Sequence, residues 1–304
     1  DKVDGVRYVC TNQAECLKDP SKLKGALRGL YNKKAYKKFK ELLAEYSPKD
    51  TIVYIHGWIK ALSCSIWSAA KDSGFEVQVT AHDYFLACPN GGFYNYRKNE
   101  ICLYRPMSLK CLLCNCDSRN YAFKLYRCAR AYVQSVFVNV MKKTKRVISI
   151  SDFSENILKP FIPQNVEIER IANPIDKHIS EEKIDFSKND YFLFVGRVSK
   201  EKGCDIFCQA IDDCKVKGVV VGDGPELSAM KDKFANANIE FVGWKSRSEV
   251  FEFMKKARAL VFPSRWYEAA PLTVPEALTI GLPCVVSNCC AARDYIDDAA
   301  KGRI

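Results

Sequence analysis

The chain has 304 residues, room for two domains of ordinary size, and its 48% hydrophobic content excludes a disordered polypeptide. No apolar run approaches the ~20 residues that a membrane-spanning helix needs, so the expectation is a soluble or peripheral protein. The formal charge of +11 suits nucleic acid, anionic lipid or phosphorylated substrates alike and does not choose among them. No signal peptide is read at the start, so the 15 cysteines are expected to be reduced cytoplasmic thiols, several of them buried, rather than a disulfide framework.

In chain order, residues 6–10 (VRYVC) form a candidate strand, and residues 22–46 read as one basic helical stretch ended by Ser47-Pro48. TIVYI (51–55) is predicted as a strand, residues 56–74 as a helix closed by Gly74, and FEVQVTAH (75–82) as a second strand. Strand–helix–strand at this spacing is a parallel, Rossmann-like unit, and ligands of such sheets bind beyond the strand C-termini, where His82 and Asp83 fall. Residues 88–128 hold Cys102, Cys111, Cys114 and Cys116 close together. Cys111-x-x-Cys114 has the spacing of a zinc knuckle, but a closed site needs four ligands and only one such pair is present. Unmetallated thiols in an irregular loop are therefore the alternative. The same segment interleaves Arg and Lys with Tyr, a pattern suited to nucleic acid, to an acceptor at an anionic membrane surface, or to a solvated rim.

Residues 119–141 read as helical, 147–150 as a strand, 151–160 as a capped helix and 166–171 as a strand. A polar run over residues 173–190 is the expected linker, dividing the chain into domains 1–175 and 176–304. Tyr191 to Val195 is a buried strand leading into GRVSKEKG, where Gly196 allows close backbone approach. Arg197 and Lys202 place two cations over the strand ends, and pyrophosphate is their natural counter-ion. Strands at 217–222 and 239–242 end in GDGPE and Gly243-Trp244, and residues 248–258 form a helix.

Residues 259–288 then read as strand, loop, helix, strand, with Pro271 opening the helix and Gly281 closing it. Glu268 precedes that helix and Glu276 lies within its first turns. A helix N-terminus welcomes an anion, so two acids beside it call for hydrogen-bonding sugar hydroxyls, or else for a dipole-favoured Glu beside a solvated one.

EAAPLTVPE resembles the Glu-x7-Glu element of the retaining, family-4 glycosyltransferases, and the resemblance runs from about Val53 to the chain's end with several motifs in order. It implies an α/β GT-B fold of two Rossmann-like domains with parallel sheets facing across a cleft. It implies transfer of a sugar from a UDP or GDP sugar to a hydroxyl of a lipid-linked or polysaccharide acceptor on the cytoplasmic face of a membrane. No metal or other cofactor and no nucleic acid are implied. Glu268 would hold the donor sugar and Glu276 the ribose. Arg197 and Lys202 would clamp the diphosphate, and His82 would approach the sugar from the first domain. Gly196, Gly222, Asp223, Gly243 and Trp244 would line the nucleotide side, and Ala269, Ala270, Pro271, Leu272 and Thr273 the helix approach. Two departures stand out: Ala269 follows the first acid where Gly is usual, and Pro174 replaces the Gly of the inter-domain junction. A family member also carries a strand and a Gly-rich loop before Asp1, and further elements after the last residue, so the resemblance implies an internal fragment. The alternatives are an epimerase or phosphorylase of the same fold, or a basic Cys-rich module binding nucleic acid or zinc.

Overall fold

The computed structural model describes residues 4–175, 184–296 and 302–303. Its first sheet has the order β1 (Ile52–Ile55), β2 (Glu76–Ala81), β5 (Arg146–Ser149), β6 (Glu167–Arg170), all parallel. A short antiparallel ribbon, β3 (Tyr94–Asn95) and β4 (Glu100–Ile101), projects between them in sequence. Around the sheet lie α1 (Lys22–Leu30), α2 (Lys33–Leu43), α3 (Ser65–Asp72), α4 (Leu109–Leu113), α5 (Tyr121–Tyr132) and α6 (Asp152–Leu158). The core is built where Val77, Val79 and Val147 of the central strands meet Trp67 and Ala70 of α3. Burying the apolar faces of β-branched residues against a helix is what fixes this layer.

Several expected elements are interrupted, each for a local reason. The single helix expected over 22–46 is two, because Tyr31 is extended and Asn32 caps α2, its Oδ1 accepting the Ala35 N–H at 3.0 Å. Asn favours such a cap over a helix interior. Residues 56–64 are not helical: Leu62 and Ser63 donate to the Trp58 carbonyl in a turn, and Ser63 has a left-handed φ of 60°. α5 ends at Tyr132 and widens into a π turn over Val133–Phe137, before Asn139 breaks the path with a φ of 52°. Residues 6–10 form no strand.

The second sheet is wholly parallel, in the order β12 (Gly302–Arg303), β11 (Cys284–Val286), β10 (Ala257–Phe262), β7 (Tyr191–Val195), β8 (Lys217–Val221), β9 (Ile239–Gly243). It is covered by α7 (Cys204–Cys214), α8 (Leu227–Lys233), α9 (Arg247–Lys256) and α10 (Thr273–Thr279). Leu193, Val220 and Leu260 are fully buried, as expected of parallel strands packed on both faces. α9 starts with a capping box, Ser246 accepting from the Glu249 N–H while Glu249 accepts from the Ser246 N–H. Of the expected linker over residues 173–190, residues 176–183 lie outside the described residues, as do most of the last ten residues.

The loop between β10 and α10 joins the two domains. Tyr267 packs against Tyr84, Phe93 and Phe153 of the first domain at ring separations of 6.5, 6.4 and 5.6 Å. Ala269 is buried in the first domain's core, and its carbonyl accepts the Ser151 hydroxyl at 2.5 Å. Asp294 accepts the Phe153 N–H at 2.9 Å, capping α6 from the other domain. Gly92 admits Trp266, since a Cβ there would lie 3.2 Å from the indole ring.

Candidate functional site

The C-terminal ends of β7, β8 and β9 form a rim of bare backbone. The Gly196 N–H donates to Val221 O at 3.0 Å, Gly222 N–H to Gly243 O at 2.8 Å and Val198 N–H to Asp223 O at 3.0 Å. Gly222 sits at φ +143°, and a Cβ on it would fall 1.9 Å from the Gly196 carbonyl oxygen, so no other residue fits. Arg197 is exposed on this rim and forms no ion pair among the described residues. Trp244 is 74% exposed beside it. Asp223 turns back on its own loop, accepting the Gly224 N–H at 2.6 Å.

The two acids of the Glu-x7-Glu element stand beside this rim, each with a basic partner from a different segment. Glu268 is ion-paired with Lys202 and its other oxygen accepts the Ser264 hydroxyl at 3.3 Å; both charged side chains are largely buried. The Lys202 ammonium also lies 5.5 Å from the Trp266 ring and 5.9 Å from Phe262, so it is fixed by an acid and two aromatic faces. Glu276, on α10 and 13% exposed, accepts from Arg247 at 2.6 Å. α10 is shorter than the sequence suggests. It starts at Thr273 after Leu272, and Pro275 rather than Pro271 takes the first turn, where its missing N–H leaves no bond unmade. Pro271 is buried and Ala270 packs toward the first domain, so these two approach residues hold the junction.

His82 follows β2 on the first domain and is exposed. Its Nε2 lies 3.0 Å from His56 Nδ1, with the rings stacked at 5.3 Å. Burial and then the His56 charge hold His82 below the ordinary imidazole value. This pairing, together with Arg247, Ser264 and Trp266, escapes the sequence reading. His56 and His82 stand 26 residues apart, and only adjacent parallel strands align them. Among the described residues, Tyr84 Oη and Trp266 Nε1 are buried without a hydrogen-bond partner at the junction, two further polar groups aimed at the region between the domains.

The cysteine segment resolves into separate contacts. Lys124 Nζ donates to Cys111 Sγ at 3.4 Å, and Asn95 and Asn90 side-chain N–H groups donate to Cys114 at 3.6 Å and Cys116 at 3.3 Å. Burial pushes the Cys102 thiol up to about 11. Among the described residues no group of three or more His, Cys, Asp or Glu is placed to hold a metal ion. Cys111, Cys114 and Cys116 thus each accept one of these N–H groups inside an irregular loop.

Two parallel α/β domains meeting at a loop that carries paired acids, beside a glycine rim, define a GT-B protein. The solved structures agree on the fold. The chain is similar to lipopolysaccharide outer core galactosyltransferase WaaB in its apo form (TM-score 0.56, 18% identity, 93% of this chain and 67% of that one). It is also similar to Anabaena Alr3699/HepE in complex with UDP (TM-score 0.58, 16% identity, 88% and 67%). Residues 176–304 match the family model described as Glycosyl transferases group 1. Among curated proteins, it is 25% identical over 265 residues to an uncharacterized 42.6 kDa protein in the cps region of Klebsiella pneumoniae, covering 86% of this chain and 63% of that protein. It is 33% identical over 141 residues to the Escherichia coli UDP-Gal:alpha-D-GlcNAc-diphosphoundecaprenol alpha-1,3-galactosyltransferase, covering 42% and 36%. The chain thus spans less than two thirds of the length of these curated relatives.

Proposed function

We propose that this chain carries the donor site of a retaining glycosyltransferase that moves a sugar from a nucleoside diphosphate sugar to a hydroxyl acceptor. The observation that carries this reading is the pair of basic-partnered acids, Lys202–Glu268 and Arg247–Glu276, set beside the Gly196–Gly222 backbone rim. A pyrophosphate needs cations and unobstructed backbone, and sugar and ribose hydroxyls need carboxylate acceptors; both requirements are met within one loop cluster. The UDP held in the HepE complex and the UDP-Gal donor named for the E. coli relative support a uridine donor over a guanosine one.

In this reading Glu276 accepts from the ribose hydroxyls and Glu268 from the donor sugar. Lys202, immobilised by Glu268 and Trp266, faces the diphosphate, and Arg197, exposed and unpaired among the described residues, closes on it. The C1–O bond to the diphosphate breaks while the acceptor oxygen bonds to C1 on the same face. The departing phosphate oxygen takes the acceptor's proton. Charge developing on that oxygen is met by Lys202, Arg197 and the first N–H groups of α10 at Leu272 and Thr273, which is electrostatic catalysis by groups already in place. His82, its proton shared with His56, approaches the sugar from the first domain. The acceptor is lipid-linked or a growing polysaccharide, consistent with the diphosphoundecaprenol named for the E. coli relative. Contact with an anionic membrane on its cytoplasmic side is supported by α1, whose Leu23 and Leu27 are 72% and 58% exposed on a basic helix. No described helix is long and apolar enough to cross a membrane.

The test is calorimetric titration of UDP, GDP and ADP against the chain and its Glu276→Ala variant. One diphosphate binds, and the variant weakens it by about 1–3 kcal/mol, the cost of leaving buried hydroxyl donors unpaired. Absence of binding by all three, with the fold intact by circular dichroism, would refute the donor-site reading for this chain.

A further inference from the structure

Beyond the C-terminal ends of β1 and β2 the first domain holds a cavity of about 620 Å³. One wall is apolar, made by Trp58, Phe85 and Phe123. Trp58 is locked in place, its indole N–H donating to Gln134 at 3.1 Å while Gln134 donates to the Phe85 carbonyl at 2.9 Å. Four basic side chains line the same space against two acids, Glu15 and Asp83. Of the four, Arg127 is committed to the buried Asp117 at 2.7 Å. The other three, Lys60, Arg119 and Arg130, have no carboxylate in ion-pair contact among the described residues. Arg130 is the least solvated of them. Its contacts are the face of Phe85 at 4.9 Å and the Pro89 carbonyl at 3.3 Å. Burial and the neighbouring Arg127 charge pull it down to about 10. Arg130 thus lies between an aromatic ring and another guanidinium, with the Asp83 carboxyl offsetting part of its charge, and a bound anion relieves the rest.

The cavity does not end at the cations. A second hollow of about 450 Å³ adjoins it, more apolar although Lys22 stands on its wall, and the two share Cys16, Leu17, Arg119, Phe123 and Tyr126. This extension runs between α1 and α5, past Ala26 and Ala122, and reaches the surface near Leu17, which is 55% exposed. Cations at the inner end and an apolar channel leading outward match an anion esterified to a long aliphatic chain. They do not match a free oligosaccharide, which offers neither charge nor apolar length. The inner end lies one residue from His82, on the side of the sheet where the strand ends face the second domain.

We propose that this groove binds the acceptor as an aliphatic phosphate or diphosphate ester, its phosphate at Arg130, Arg119 and Lys60 and its hydrocarbon along Phe123, Tyr126 and Leu17. The assignment of this ligand as acceptor rests on the transfer reading above; the site itself does not.

The experiment titrates farnesyl diphosphate, farnesol and inorganic diphosphate against the chain, each with and without saturating UDP. Farnesyl diphosphate binds in the presence of UDP, at least tenfold more tightly than either farnesol or inorganic diphosphate. Arg130→Gln weakens it at least tenfold, Arg119→Gln, at an exposed position that leaves the fold intact, weakens it severalfold, and Lys202→Gln leaves it unchanged. Competition by UDP, or loss in Lys202→Gln with none in the two arginine variants, would place the ligand in the donor site and overturn the proposal. Equal affinity for inorganic diphosphate would do the same by removing the role of the channel. UDP binding without farnesyl diphosphate binding sinks the groove and leaves the transfer reading standing. Farnesyl diphosphate binding with no nucleotide binding keeps the groove and sinks that reading.

Discussion

At the rim of the second domain Glu268 and Glu276 each carry a basic partner, whereas in the first-domain groove Arg119 and Arg130 face aromatic walls with no carboxylate in ion-pair contact among the described residues. The two acids of the rim are each paired before any ligand arrives, with Arg197 left without a carboxylate among the described residues. The rim suits a ligand that brings both hydroxyls for the acids and phosphates for the cations, and exchanges one set of partners for another. The groove is unbalanced and apolar. It suits a ligand that is itself charged at one end and apolar along its length. The same side-chain types thus specify different ligand chemistries according to how they are paired.

Removing charge from the rim is the strongest way to break this comparison. Lys202→Gln takes away the cation proposed to face the departing diphosphate, and turnover of the bound sugar nucleotide is expected to fall by about 10²–10³-fold, read by donor consumption. Glu276→Ala comes next, costing about 1–3 kcal/mol of nucleotide affinity while leaving farnesyl diphosphate binding untouched.

A pH measurement sharpens the other side. Burial pushes the Asp83 carboxyl, which lines the groove, up to about 6 from its ordinary 3.8. Its native form therefore holds a proton more tightly than the unfolded chain does. The associated stability is fully present below the ordinary value and is lost as pH rises through about 6. Asp83→Asn, which keeps the acceptor for the Phe85 N–H, is expected to stabilise the fold by roughly 1–2 kcal/mol at pH 7.5. That gain should disappear near pH 4, as read by urea denaturation across pH. A gain independent of pH would mean that Asp83 is not buried as its surroundings imply. The smallest effect belongs to Arg247→Ala. Its guanidinium is 47% exposed, so loss of the Glu276 pair is worth at most about 1 kcal/mol of folding stability, read as a shift of a few degrees in Tm.

Much of the second domain was legible in residue order alone. YFLFV, the GVVV of the next strand and ALVF are continuous apolar runs of strand length, as strands buried on both faces have. Of the glycines at these strand ends, Gly222 is the one that close backbone approach requires, since a Cβ there would fall 1.9 Å from the Gly196 carbonyl oxygen. The acids and the two cations were singled out through the resemblance of their motifs, and the structure pairs Lys202 with Glu268. The first domain was read less well. Its helices are broken by Asn32, Ser63 and Asn139, single residues whose side chains or φ values compete with a helical pattern that is otherwise continuous. The cysteine contacts were not legible either, since Cys111 and Cys114 accept from Lys124 and Asn95 separately, and those partners are set by the fold of the loop.

Sequence by itself determined the α/β class and the parallel second sheet, because these depend on periodicity and short-range spacing. Tertiary structure alone decided that Arg247 reaches Glu276 from 29 residues away, that His56 aligns with His82, and that Ala269 packs into the first domain's core. It alone decided, too, that Arg130 lies against the face of Phe85. Each of these depends on which strands and helices become neighbours, and that is set by burial of whole faces over long sequence separations, which no local pattern encodes.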